Sequence, residues 1–437
     1  MRFASPPRRL RLHRPLAAAL ITSLACLGSH AQTPLAPLTL DAAVVQATAR
    51  SQLIVAADAQ AQAARELSVA AGRRPDPVLR LGIDNLPVTG PDRFSLTRDF
   101  MTMRSIGLMQ ELTREDKLNA RTQRAEREVE IASVARSAAA AELQRDAALA
   151  WLESSFQGSL RELVLGQIAQ AEAQAEATQV LYRAGKGAQA DVFAARAVIE
   201  QLQDALAQAE RQVAVAATQL SRWVGEPVTQ PLAARPALAL PDWTHGALAE
   251  QLNRHPQIAA AEQQEALAES EAAVARADKS ADWSVEFMYS QRGREYSNMV
   301  SVNLTVPLQW DQKNRQDREL AARLAQVQQA RARREEVRRA QEAEVRVLLQ
   351  EWRSHDERLR RYTSTLLPLA AQRSEAALSA YRGGSGALTA VLDARRGELD
   401  LRIDQLRLEM ERARVWAQLN YLLPAPDAGS HRVEASR

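Results

Sequence analysis

The order of apolar and polar positions changes period along this chain, and each change marks an element. A helical period opens at Leu38-Thr39-Leu40-Asp41 and predicts a helix running to about Gly72. From Pro77 the period drops to two. In VLRLGIDN, Leu79, Leu81 and Ile83 share one face, opposite Arg80, Gly82 and Asp84. After a Pro/Gly/Asp loop, MTMRSIGLMQEL alternates again, with Ile106, Leu108 and Leu112 opposite Met103, Ser105, Gly107 and Met109. These are two strands of roughly ten residues. Thr113 to Tyr182 then holds no proline and is helical throughout. At 1.5 Å per residue, some seventy residues reach on the order of 100 Å, far beyond a globular helix. A turn at Gly185–Gly187, a returning helix to about Trp223 and a Pro-rich connector close the first half.

The second half repeats the first. HPQIAAAEQQ matches SQLIVAADAQ at an offset of 204 residues, which also places Trp283, Val285, Phe287 and Tyr289 on Leu79, Leu81, Ile83 and Asn85. In MVSVNLTVPL, Val300, Val302, Leu304, Val306 and Leu308 oppose Ser301, Asn303 and Thr305, at an offset of 196. The second strand-to-strand loop is therefore eight residues shorter. At the turns the offset is 199: setting Tyr182 on Tyr381, eight of fifteen positions are identical through Arg196 and Arg395. Insertions confined to connections mark an internal duplication. Gly185 and Gly187, and likewise Gly384 and Gly386, are expected to supply positive φ for the two reversals. Pro368 is expected to kink the second long helix, because it removes a donor and clashes with the carbonyl of Ser364.

This organisation divides the chain into a first repeat (32–223), a connector (224–245), a second repeat (246–423) and a flexible tail (424–437). Residues 1–31 have the form of a secretory signal: Arg8, Arg9, Arg11 and Arg14, an apolar run Leu16 to Leu27, then Ser29-His30-Ala31. Their five arginines and no acid leave 51 basic against 53 acidic residues, a formal charge of −2, so the basic pI is no argument for nucleic acid. The only cysteine, Cys26, lies in this segment, either removed with it or retained as a lipid anchor; a mature chain cleaved after Ala31 has no disulfides. The 4% aromatic content and abundant Ala suit helices packed closely side by side.

Strands with one apolar face cannot leave that face in water, and in lipid an open sheet leaves edge groups unpaired. A closed barrel meets both conditions. Strands of 9–11 residues fit a tilted outer-membrane strand. Four strands are too few for a barrel, so several chains must pool them, and three would give twelve. The competing architecture is a soluble four-stranded sheet packed on helices.

The paired halves, the tips Tyr182-Arg183-Ala184-Gly185 and Tyr381-Arg382-Gly383-Gly384, and the strand ending Val306-Pro307-Leu308 resemble the TolC-type outer-membrane efflux factor family. The stretch from Pro75 to Leu112 is similar to its branch serving heavy-metal efflux pumps. The resemblance implies a homotrimer with a twelve-stranded outer-membrane β-barrel on a long periplasmic α-helical barrel. It further implies docking to a periplasmic adaptor and an inner-membrane RND-type pump. By the tip match, Asp393 falls on a family acid that narrows the periplasmic mouth, and Ala390 replaces a second one. Asp191 of the first tip stands at the position matching Ala390, and is alternatively a charge stabilising a helix N-terminus. Arg183 and Arg382, with Tyr182, Gly185, Gly187, Tyr381, Gly384 and Gly386, form the expected adaptor-contact tips.

Met101, Met103, Met109, Met288 and Met299 fall near the strands, where thioethers suit Cu(I) or Ag(I) or simply fill space. His245, His255, His355 and His431 form no metal-ligand pattern and are expected at the surface. No metal site, cofactor or catalytic motif is expected. The function expected is a passive conduit of a tripartite heavy-metal efflux system. Alternatives are the same channel in drug or type I protein export, or a soluble periplasmic coiled-coil scaffold.

Overall fold

The computed structural model describes residues 36–225 and 231–424. The signal segment with Cys26, the tail from residue 425 and His431 lie outside the described residues. The described residues from Pro37 onward form one unit.

The chain is mainly helical with one four-stranded antiparallel sheet, and its element order occurs twice. In the first half, α1 (Leu40–Arg50) and α2 (Gln52–Ala71) precede β1 (Val78–Asp84) and β2 (Met103–Leu112). The 69-residue α3 (Glu115–Arg183) and its return α4 (Gln189–Val224) follow. In the second half, α5 (Leu248–Leu252) and α6 (Pro256–Ala277) precede β3 (Trp283–Gln291) and β4 (Met299–Thr305). Then come α7 (Gln316–Arg361), α8 (Leu367–Arg382) and α9 (Leu388–Asn420).

Two expectations about these elements need correction. The first helix does not run unbroken to Gly72. Ser51 leaves helical ψ at 115° and its Oγ accepts the amide of Ile54 at 3.3 Å, so a side-chain cap restarts the helix. β1 and β4 span seven residues each, not ten, and Val306 and Leu308 lie beyond the ladder. Pro368 is accommodated by a π-turn over Tyr362–Leu366, in which the amide of Leu367 bonds the carbonyl of Tyr362. The wider turn absorbs the missing donor between two helical runs.

The sheet order is β1-β2-β3-β4, so β2 and β3 pair although the whole first helical hairpin separates them in sequence. Register follows the apolar alternation: Leu81 faces Ile106, Ile106 faces Tyr289, and Tyr289 faces Val300. One row lower, Leu79, Leu108, Phe287 and Val302 are aligned in the same way. This apolar face is uncovered within the chain, with Leu81 72% and Val300 73% exposed. β1 and β4 each have a neighbour on one side only.

The main core gathers where the middle of α3 meets the start of α6, the second half of α7 and the C-terminal ends of α4 and α9, around Leu143, Trp151, Leu220, Ile258, Val345 and Leu419. Trp151 Nε1 donates to the carbonyl of Leu38 at 2.9 Å, and that carbonyl also accepts the amide of Ala233. Trp416 Nε1 donates to the carbonyl of Ala239. The connector is thus strapped to the core, with Arg235 stacked 4.2 Å over Phe156 and bonded to Ser159 Oγ at 2.7 Å. His255 corrects the expectation of a surface histidine. It is 5% exposed, caps α6, and accepts the amide of Gln257 on Nδ1 at 3.3 Å.

Candidate functional site: the strand face and the helical tips

Two regions concentrate the residues that sequence patterning singles out. The first is the sheet. Opposite its apolar face, Arg80 forms an ion pair with Glu286 at 3.3 Å and donates to Met109 Sδ at 3.6 Å. Asn303 Nδ2 donates to Glu286 Oε2 at 3.2 Å, and Ser105 Oγ to Asp84 at 2.7 Å. Met103, Met109 and Met288 join this polar face by strand parity. Met109 is opposite Glu286, while Met288 faces Gly107 on a neighbouring row. A Cβ on Gly107 would lie 3.2 Å from the carbonyl of Phe287, so the small residue keeps strands β2 and β3 close.

Where the sheet meets the helices, a charge cluster joins the two halves. Lys117 at the start of α3 is buried, and its Nζ lies 2.7 Å from Asp282 Oδ2 and 3.2 Å from Asp278. It also donates to the carbonyl of Ser280 at 3.2 Å. Burial pushes the Asp282 carboxyl up, but the bonds from Lys117 and the Arg114 amide outweigh it and hold the acid below its usual range. No motif flags Lys117, because both carboxylates come from the second half of the chain.

The second region is the pair of tips. At the first, the amide of Lys186 bonds the carbonyl of Leu181 at 2.9 Å and Gly185 has φ +71°. At the second, the amide of Ser385 bonds the carbonyl of Ala380 at 3.0 Å and Gly384 has φ +72°. Both are helix C-termini closed by a left-handed glycine. Gly187 and Gly386 do not have positive φ, correcting that expectation. They serve close approach, since a Cβ would lie 3.3 Å from the Tyr182 amide nitrogen or 3.1 Å from the Ala380 Cβ.

Arg183 and Arg382 are exposed beside these turns and form no ion pair among the described residues. Tyr182 is exposed; Tyr381 is half-buried, and its hydroxyl has no bonding partner among the described residues. Asp191 falls in the first turn of α4, where no side chain caps the helix. Asp393 falls in the second turn of α9, exposed, and lines a cleft of about 460 Å³ between α3, α4 and α9. Gln170, Arg395, Arg396 and Asp400 share this cleft, whereas Asp191 is not among its lining residues. The two acids proposed for one gate therefore occupy different settings.

Among the described residues no cluster of three His, Cys, Asp or Glu side chains could hold a metal ion, and no helix is long and apolar enough to cross a membrane.

Residues 247–424 match the family model described as outer membrane efflux protein. Among solved structures, the outer-membrane channel OprN aligns with a TM-score of 0.75 at 21% identity, over 89% of this chain and 90% of its own. CusC, studied for the conformational changes that accompany folding and transmembrane channel formation, aligns with a TM-score of 0.76 at 17% identity, over 88% and 92%. The CmeC outer membrane channel of Campylobacter jejuni aligns with a TM-score of 0.72 at 13% identity, over 95% of both chains. No curated protein sequence matches this one. The chain thus shares the fold of these outer-membrane channels along most of its length, and its second half matches the outer membrane efflux protein family.

Proposed function

We infer that three copies of this chain close a twelve-stranded barrel in the outer membrane and prolong it as a helical conduit into the periplasm. The observation that carries this reading is the sheet: one continuous apolar face is uncovered, and each outer strand has a free edge. Lipid covers the first and sister subunits pair the second. A soluble scaffold would leave both in water. The two repeats, 32–223 and 246–423, then contribute one β-hairpin and one helical hairpin each to the wall.

In this reading the conduit is passive, energised by an inner-membrane RND-type pump through a periplasmic adaptor that touches Tyr182, Arg183, Tyr381, Arg382 and the tip glycines. Three copies of Asp393 around the axis repel one another and attract cations, making the mouth sensitive to salt. Asp191 contributes to the same mouth or stabilises its own helix. The cargo proposed is heavy-metal cations, on the strength of the resemblance over Pro75 to Leu112. Drug or type I protein export through the same conduit is the second reading.

The test is deletion of the gene followed by tolerance to zinc, cobalt, cadmium, copper and silver, alongside a drug panel. Lower metal tolerance with unchanged drug tolerance supports the metal reading. The reverse pattern transfers the conduit to drug export, and recovery of the chain as a soluble monomer without detergent removes the channel altogether.

A further inference from the structure

The two loops that close β1–β2 and β3–β4 lie at the sheet end opposite the helices, since α2, α3, α6 and α7 all join the other end. They lock into one surface. A Cβ at Gly293 would lie 2.0 Å from the carbonyl of Thr97, so only glycine admits this contact. Arg292 spans the loops, with Nη1 donating to the Phe100 carbonyl at 3.0 Å and Nε to the Ser297 carbonyl at 3.2 Å. Asp99 Oδ1 accepts the amides of Met101 and Thr102, and Thr102 is buried.

This fixed surface exposes apolar groups that a water-facing loop has no use for. Val88, Phe94, Leu96 and Phe100 are all exposed. Phe94 holds φ +56°, a region an aromatic residue seldom occupies, with its amide bonded to the Pro87 carbonyl at 2.7 Å. Arg93 lies 4.7 Å over its ring, and neither Arg93 nor Arg294 has an ion pair among the described residues. Arg98 is nearby, its charge met by Asp92 at 3.6 Å. Two of the three acids in these loops are thus occupied internally, leaving Glu295 against two free guanidinium groups.

We propose that this loop surface binds the phosphorylated headgroup of a lipid in the outer leaflet, with Arg93 and Arg294 on the phosphates and Phe94 and Phe100 among the acyl chains. The guanidinium fork matches phosphate oxygens, and the flanking aromatics match the apolar body that such a lipid carries. The loop also starts where the apolar belt of the sheet ends, at Ile83. The proposal rests on the outer-membrane reading above.

The experiment uses the full chain purified in detergent and delipidated, with diphosphorylated lipid A, its monophosphorylated form and phosphatidylcholine as probes. Retention is measured by native mass spectrometry. Wild-type protein is expected to hold the diphosphorylated lipid at least tenfold more than phosphatidylcholine, with the monophosphorylated form between. R93Q/R294Q is expected to lose most of that preference while keeping its oligomeric state in lipid-free detergent. Equal retention of all three lipids, or a double variant that binds as wild type does, overturns the proposal. A double variant whose oligomer falls apart without lipid also overturns it, because the surface is then a contact between copies. Absence of the chain from the outer-membrane fraction would sink the wider reading instead, and fractionation reads that separately.

Discussion

Arg395 on α9 donates from Nη1 to Oε1 of Gln170 on α3 at 2.6 Å, a bond between residues 225 positions apart. It spans the cleft that Asp393 lines and ties the second helical hairpin to the first close to the tips. Replacing Arg395 with Ala should free one hairpin from the other. Single-channel conductance in planar bilayers is expected to rise several-fold. Thermal stability should change little, since one exposed hydrogen bond contributes about 1 kcal/mol. Unchanged conductance would mean that the hairpins are held by other contacts.

Lys117 stabilises the junction of strands and helices differently, because its own ammonium is buried where it pairs with two acids. Lys117→Met leaves the Asp282 carboxylate facing a partly desolvated site without its main partner. Breaking one side of such a pair costs about 3 kcal/mol or more. A lower denaturation midpoint for K117M, largely restored in K117M/D282N, would match this account. A double variant no better than the single one would not.

His255 predicts a pH dependence. Burial lowers its pKa from the ordinary value of 6.5, and Glu344 opposes that only in part. Glu142, Arg145 and Tyr421 line the same small cavity, and burial pushes the Tyr421 hydroxyl up to about 12, with Asp41 adding to it. The folded chain therefore resists a proton that the unfolded chain accepts. Stability from this group is full above the unfolded pKa and falls as pH drops below about 6.5. The Nδ1 cap on Gln257 reinforces the sign, since a protonated Nδ1 cannot accept. His255→Asn keeps an acceptor at the cap. Melting temperatures between pH 7.5 and 5 should therefore decline less in H255N than in wild type.

The two faces of β4 should respond oppositely to the same charge. Val302 is on the uncovered apolar face and Asn303 on the face that carries Glu286. A lysine among lipid chains costs roughly 2–4 kcal/mol near the bilayer midplane. Val302→Lys should sharply reduce the heat-stable oligomer recovered from outer membranes, whereas Asn303→Lys should leave it near wild type. Equal loss from both would argue against lipid on the apolar face.

Much of the fold is legible locally, for a physical reason. A period of two fixes which strand residues share a face, so Leu81, Ile106, Tyr289 and Val300 were assignable before their pairing was known. The missed features depend on single side chains that compete with the pattern. Ser51 restarts a helix with one hydroxyl, and His255 is buried because a cap and a cavity suit its ring better than water. Gly187 and Gly386 looked like further left-handed turn residues, but what restricts them is crowding at the helix end.

The sequence by itself determined the duplication, the strand faces, the lengths of the long helices and the two turning points. All follow from periodicity and from what Gly and Pro permit the backbone. Only the tertiary structure decided that β2 pairs with β3, that Lys117 meets Asp282, and that Arg395 reaches Gln170. Those contacts join residues far apart in the chain. Periodicity names the face a residue occupies, but the partner across that face is chosen only when the two halves pack.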